Sequence, residues 1–311
     1  MTRSFAALLF AAGLVAACSG FGPTASPTPP NYQGWPPNAN YALIPYPVST
    51  EIAVGANRLL VNLLDASTNA STASADHPVQ LRLYDLPADA TRPAQTTDAA
   101  YLPTISALPG LYRAMVTFSH AGDWGLEAIQ DPGTAQERSG RFIFEVRASS
   151  MTPAIGASVQ AEDTPTATDA AGIAAISTDP SPDPDFYTTS ISGALAAHEP
   201  FVVVFATPAF CKSATCGPTL NLVKQVAADY KGRLTFIHVE PYELQMTDGH
   251  LQPVLTEDNN PIPIQPVDDW GLPTEPYIFV VGADGKLTAK FEGIASPDEL
   301  RPAFDAVATG G

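Results

Sequence analysis

Phe201-Val-Val-Val-Phe-Ala-Thr-Pro-Ala-Phe-Cys211-Lys-Ser-Ala-Thr-Cys216-Gly-Pro218 decides how the second half of the chain is read. The apolar run 201–206, bounded by Pro200 and Pro208, suits a strand buried on both faces, as in a parallel sheet. Beyond the cysteines, Leu222, Val223, Val226, Ala227 and Tyr230 recur at helical spacing. Residues 234–239 read as a second strand, and 276–281 and 287–291 as two more, joined by the turn Gly282-Ala-Asp-Gly285. A short helix precedes the first strand, over 192–198. The last element opens with Ser296-Pro-Asp-Glu299, which supplies an N-cap, a proline at the first helical position and a capping-box glutamate. Strand, helix, strand, hairpin and helix make one α/β unit over 185–311.

Upstream, the pattern changes. Residues 41–148 alternate apolar and polar side chains, clearly in Val79-Gln-Leu-Arg-Leu83 and Phe142-Ile-Phe-Glu-Val146. Further strand-like runs lie at 111–118 and 124–129, with Gly, Asp, Pro and His between them. Several short strands without a helical period imply an all-β sandwich. Leu108-Pro-Gly-Leu-Tyr112 resembles the tyrosine corner of immunoglobulin-like domains, which gives Tyr112 a stabilising role at a strand crossing. Residues 149–184, ending in Asp179-Pro-Ser-Pro-Asp-Pro-Asp185, read as a linker.

The N-terminus carries an export address. Arg3 precedes an apolar run of 13 residues, 5–17, shorter than the about 20 that span a bilayer. Val15-Ala-Ala-Cys18 resembles the lipobox of bacterial lipoproteins. The resemblance implies that the signal peptide 1–17 is removed and that Cys18 is acylated. Residues 18–40, rich in Pro, Ser and Thr, then form a disordered tether. The expected location is the extracytoplasmic face of the cell membrane, held by lipid.

Composition sets the outer bounds. At 311 residues the chain has room for two domains. With 45% hydrophobic and only 15% charged residues it can bury a core. Its 31 prolines and 22 glycines stay below the roughly 25–30% share of low-complexity chains. A net charge of −17 excludes recognition of nucleic acid through a basic face. Of three cysteines, Cys18 is taken by the anchor; Cys211 and Cys216 remain, in a compartment that permits disulfides.

The α/β unit resembles the thioredoxin-like fold, in its extracytoplasmic redoxin and thiol–disulfide oxidoreductase branch. The strand end Phe205-Ala-Thr-Pro-Ala-Phe-Cys211, the segment Gly271-Leu-Pro-Thr-Glu-Pro276-Tyr-Ile-Phe-Val-Val and the capped last helix carry the resemblance. Register to the hairpin places the family's cis-proline at Pro276 rather than Pro273. A thiolate at a helix N-terminus is stabilised by free N–H groups and by the dipole, and Lys212 adds positive charge. The family's usual spacing has two residues between the cysteines, but four stand here. Either Phe210-Cys211 matches the family's attacking cysteine, or Cys216-Gly-Pro-Thr219 matches its Cys-Gly-Pro-Cys with threonine in the last place. We prefer Cys211 as attacking and Cys216 as resolving thiol, which requires Cys211 to lie on the loop. No acid interrupts 202–205, so the buried carboxylate that thioredoxins use is missing. Glu275 would face the sulfurs instead and raise their pKa.

The expectation is a multi-domain protein: an immunoglobulin-like all-β sandwich followed by a thioredoxin-like α/β domain. It exchanges disulfides with exported client proteins through Cys211, Cys216 and Pro276, taking electrons from another redox protein. No cofactor is implied and no nucleic acid is expected. Two alternatives stand beside this reading. In one, a binding or scaffold lipoprotein carries an inert Cys211–Cys216 disulfide. In the other, a redoxin-fold chaperone handles copper, with His238 or His250 as the nearest imidazoles. The acidic connection 241–269 is either a solvated loop or a lid that selects the partner.

Overall fold

Alternating burial builds the first half. In this computed structural model, which describes residues 31–36, 40–103 and 109–308, strands β1 (Leu43–Pro47), β2 (Gly55–Asp65), β3 (Val79–Asp85), β4 (Gln95–Leu102), β5 (Leu111–Phe118), β6 (Gly122–Gln130) and β7 (Arg138–Val146) form a seven-stranded antiparallel sheet in the order β1-β2-β5-β4-β3-β6-β7, with one short helix, α1 (Leu86–Asp89), between β3 and β4. In β5, Tyr112, Ala114, Val116 and Phe118 point inward, while Met115 and Thr117 are exposed. β4 holds the sheet together: residues 95–99 pair with β3 and residues 100–102 with β5. The sheet curls until β7 lies against β1 and is nearly closed. Gly140 permits this, because a Cβ there would collide with the backbone carbonyl of Leu43. Tyr112 is buried, and its hydroxyl reaches the backbone of the preceding loop, at Ser74 and at the carbonyl of His77 (2.9 Å).

The second half is a four-stranded sheet of order β13-β12-β8-β9. It comprises β8 (Phe201–Phe205), β9 (Thr235–Val239), β12 (Tyr277–Val281) and β13 (Leu287–Glu292). β8 runs parallel to β9 and antiparallel to β12, which forms a hairpin with β13 through a turn where Gly285 has φ 74°. All five residues of β8 are buried. Val202 and Val204 pack with helices α4 (Cys216–Ala227) and α6 (Pro297–Ala308); Phe201, Val203 and Phe205 pack on the other face with Trp270 and α3 (Ile191–Ala196).

Residues 149–184 are built onto this second sheet. Segment 156–159 hydrogen-bonds to Gly285 and Leu287 beside the β12–β13 turn. Helix α2 (Ala170–Ile176), capped by Asp169, buries Ile173 in the same cluster as Cys216. In the connection 241–269, strands β10 (Leu244–Thr247) and β11 (His250–Pro253) form a hairpin, and α5 (Gln265–Asp269) follows it.

An ion pair ties β2 to α6. Arg58 donates to both carboxylate oxygens of Glu299 (2.6 and 3.0 Å) and also to the backbone carbonyls of Glu292 and Ile294. Glu299 also accepts from the Ser296 backbone N–H, the return bond of the capping box. Burial opposes its ionisation, but Arg58 and Arg113 outweigh burial and hold its pKa below the usual carboxylate value. Removing one partner of a pair this buried leaves an uncompensated charge. Glu299→Ala is expected to cost about 3–5 kcal/mol in denaturant unfolding, and Arg58→Met with Glu299→Leu much less. Because the folded-state pKa is depressed, this contribution is complete above the unfolded-state value and is lost as pH falls through the folded one. The stability gap between wild type and Glu299→Ala in denaturant unfolding should therefore narrow as pH falls below the usual carboxylate range.

Candidate functional site

The site lies where β8 ends. Two anchors fix the exit. His238 on β9 is buried; its Nε2 donates to the carbonyl of Ala206 (2.9 Å) and its Nδ1 accepts from the Tyr187 hydroxyl (2.9 Å). Burial lowers its pKa to about 4, so it is a neutral structural group. Glu240, at the end of β9, accepts from the backbone N–H and hydroxyl of Thr178 (2.7 and 2.5 Å), and the same hydroxyl accepts from the N–H of Ala209 (3.2 Å). Burial raises the Glu240 pKa.

The loop then turns. The N–H groups of Phe210 and Cys211 both bond to the carbonyl of Thr207, and Ala214 takes a left-handed φ of 57°. Cys216 is the first residue of α4, so its N–H is one of the four at the helix start that have no intrahelical partner. It donates to Sγ of Cys211 at 3.3 Å. The Ser213 hydroxyl lies 3.2 Å from the same sulfur. Cys211 is half-buried, Cys216 fully buried, and both are free thiols.

The two sulfurs titrate apart. The Cys211 pKa falls to about 5, chiefly through the hydrogen bond from the Cys216 thiol, with Ser213 and the backbone N–H of Cys216 adding to it against some burial. The Cys216 pKa rises, because it donates to Cys211 and because it is buried; nearby Glu275 pushes in the same direction. Near neutrality the pair is thus one thiolate and one thiol. The acid at 275 does act on the sulfurs as its place in the sequence suggests, but only Cys216 is pushed up; at Cys211 the hydrogen bonds win.

Glu275 and Pro276 close the site from β12. The peptide bond between them is cis, and Pro276 is buried. A Glu275 carboxylate oxygen and both sulfurs lie within 4.8 Å of one another. Burial and the charge of Cys211 raise the Glu275 pKa, against the Tyr242 hydroxyl that donates to its Oε2 (3.0 Å) and the charge of Lys212. Lys212 thus favours the ionised form of Glu275. Tyr242 and Ser213 are the two site residues that sequence reading misses as such. The only signal for Tyr242 is an aromatic residue three positions past the end of β9.

Among the described residues, Cys211, Cys216 and Glu275 are the group whose donor atoms converge enough to hold a metal ion, two soft sulfurs and one hard oxygen. Neither imidazole joins them: both nitrogens of His238 are engaged, and His250 sits on β11. Of the other histidines, His77 meets Asp131 (2.9 Å) and His120 meets Asp85 (2.6 Å), as separate surface pairs. Cys18 lies outside the described residues, and no helix among those described is long and apolar enough to cross a membrane. No protein-family model matches the chain, and no curated protein matches it.

A pKa near 5 has a direct readout. In the native reduced protein, iodoacetamide should modify Cys211 and spare Cys216, with the rate half-risen near pH 5 and flat above about pH 7. Peptide mapping with pH-resolved rates checks this. Ser213→Ala, which removes a donor to the thiolate, should move the midpoint upward.

Proposed function

We propose that this chain is a thiol–disulfide exchange protein with a thioredoxin-like fold in its second half and an immunoglobulin-like β domain in its first. In this reading it is anchored by acylated Cys18 on the extracytoplasmic face of a membrane and acts on exported proteins. The observation that carries it is the pairing of a half-exposed Cys211 thiolate with a buried, protonated Cys216 at the start of a helix. Further support for the fold comes from the strand order β13-β12-β8-β9, with parallel β8 and β9 and a cis-proline facing the cysteine loop.

The reaction follows from the two pKa directions. The Cys211 thiolate attacks a client disulfide, forms a Cys211–client S–S bond, and expels the client's other sulfur as a thiolate that takes a proton from water. Cys216 then loses its proton and attacks Sγ of Cys211. The Cys211–Cys216 disulfide forms, and the second client sulfur leaves as a thiolate. The client gains two electrons and the protein dithiol loses two; a dithiol donor restores the start. The reverse sequence oxidises a client dithiol. Glu275 receives the Cys216 proton: it is close to both sulfurs, and it keeps a raised pKa through burial. Its position also supports Cys211 as the attacking thiol, since the buried sulfur is the one that needs a local acceptor.

Insulin reduction by the reduced full-length chain tests the reading. Cys211→Ala should fall to the uncatalysed rate, and Cys216→Ser should accumulate a mixed disulfide on Cys211 that gel shift and mass spectrometry detect. A wild-type pair that resists dithiothreitol, or activity that survives Cys211→Ala, rules the reading out in favour of a scaffold.

The convergence of two sulfurs and one carboxylate favours a second reading, a chaperone for a soft ion such as Cu(I). Cuprous titration of the reduced protein would then give one equivalent bound, lost in Cys211→Ala. No stoichiometric binding dismisses it.

A further inference from the structure

Beside the cysteine loop lies a cavity of about 780 Å³ that the exchange chemistry itself does not use. We propose that it seats the client: an extended polypeptide segment with an apolar side chain next to the cystine under attack. This rests on the thiol–disulfide reading and names the substrate class of that site.

Three elements form the cavity. One wall is α2 with the segment Pro180-Ser-Pro-Asp-Pro184; the opposite wall is the β10–β11 hairpin; the loop residues Ala209 and Phe210 lie between them. Phe210 is the residue before Cys211. A client joined to Cys211 by an S–S bond therefore has this opening within reach of the residues next to its own cysteine, since each residue of extended chain covers about 3.3–3.6 Å. The volume falls within the roughly 300–1,000 Å³ of cavities that enclose a sizeable ligand, so a short run of residues fits.

The lining selects an apolar occupant. Ile173, Phe210, Met246 and Leu251 present carbon to the space. Three of the polar side chains in the walls already have partners. Asp179 is paired with Lys224 (2.5 Å), Asp169 caps the N–H of Gly172 (2.7 Å), and Thr178 is held by Glu240 (2.7 Å). An acidic client side chain entering here would be desolvated beside the carboxylates of Asp169 and Asp179.

The walls also differ in stiffness, as suits clients of varied sequence. Three prolines hold φ on one side, so that wall needs little ordering on binding. On the other side Met246, 57% exposed, is an unbranched side chain that adapts to different shapes. The hairpin belongs to the acidic connection between β9 and β12. That connection reaches the site twice, through Tyr242 at Glu275 and through Met246 and Leu251 at this cavity.

Two cysteine peptides, each capped as a mixed disulfide with glutathione and differing only in Phe or Ser beside the cysteine, test the proposal. Attack by Cys211 at the peptide sulfur forms a Cys211–peptide disulfide and expels glutathione thiolate. The Cys216→Ser full-length chain holds that product for quantification. The Phe peptide should be captured about tenfold faster than the Ser peptide, the low end of what an apolar pocket discriminates. Met246→Asp, and independently Ala174→Trp, which fills the cavity from α2, should each bring the ratio close to one. Equal capture of both peptides by the protein with an intact cavity, or a tenfold preference that persists in both cavity variants, overturns the proposal while leaving the exchange chemistry standing. Failure to react with either peptide and with glutathione disulfide sinks the exchange reading, and the client seat with it.

Discussion

Everything chemical in this protein depends on a strand that cannot move. β8 is buried on both faces, with Val202 and Val204 held between α4 and α6 and the aromatic side chains of 201 and 205 on the opposite side. A fully buried side chain of this size contributes about 1.5–3 kcal/mol, so five consecutive ones fix the strand against sliding. Its C-terminal end therefore delivers residues 206–211 to one place. His238 and Glu240, one position short of and one position past the last residue of β9, then hold the exit at Ala206 and, through Thr178, at Ala209. A buried polar group in apolar surroundings is costly unless partnered. Here the partner of His238 is the backbone that leads to the cysteines, and that of Glu240 is Thr178, which in turn holds Ala209.

With the loop fixed, the four-residue spacing becomes workable. Had 211–216 been helical throughout, the two sulfurs would have pointed apart. Instead the turn anchored on the Thr207 carbonyl and the left-handed Ala214 bring Sγ of Cys211 to the first N–H of α4. The N–H of Cys216, an orphan donor of the helix start, is satisfied here by sulfur. The hydrogen bonds that lower the Cys211 pKa come from three residues within five positions, Ser213, Thr215 and Cys216, so the site is largely built by one local turn.

Much of this was legible in the sequence. The run 201–206 reads as a doubly buried strand because nothing polar interrupts it, and it is one. Register to the hairpin selects Pro276 over Pro273, and the cis bond precedes Pro276. The capping signal at Ser296 marks the start of α6. What escaped has a common cause: it depends on contacts between residues far apart in sequence. Residues 149–184 look like a linker because their composition is proline-rich and only briefly periodic. Yet backbone hydrogen bonds from 156–159 to the β13 side of the turn and a capped α2 attach them to the second sheet. The connection 241–269 looks like a polar loop because its strands are only four residues each, too short for alternation to register. Tyr242 has no motif at all; only the fold sets it against Glu275.

The charge balance at the dithiol has a consequence for Glu275. In the resting site the Cys211 thiolate raises the Glu275 pKa, so two negative charges compete in a half-buried space. Once Cys211 is tied into a disulfide, its charge is gone and that part of the shift disappears, while burial still acts. The carboxylate is then the remaining anion next to the buried Cys216 thiol, at the moment when that thiol must ionise. Thiolate and carboxylate thus take turns as the anion that Cys216 faces, and the hydroxyl of Tyr242 stays bound to the carboxylate, opposing the penalty of its burial. A buried acid under the strand would have been fixed in one relation to the cysteines. In the proposed exchange, a client joined to Cys211 would both remove the thiolate charge and desolvate the neighbouring Glu275 carboxylate further. Desolvation raises a carboxyl pKa and loss of a neighbouring anion lowers it. Because the two act in opposite directions, Glu275 would keep its affinity for a proton across the proposed exchange even though the charge beside it changes.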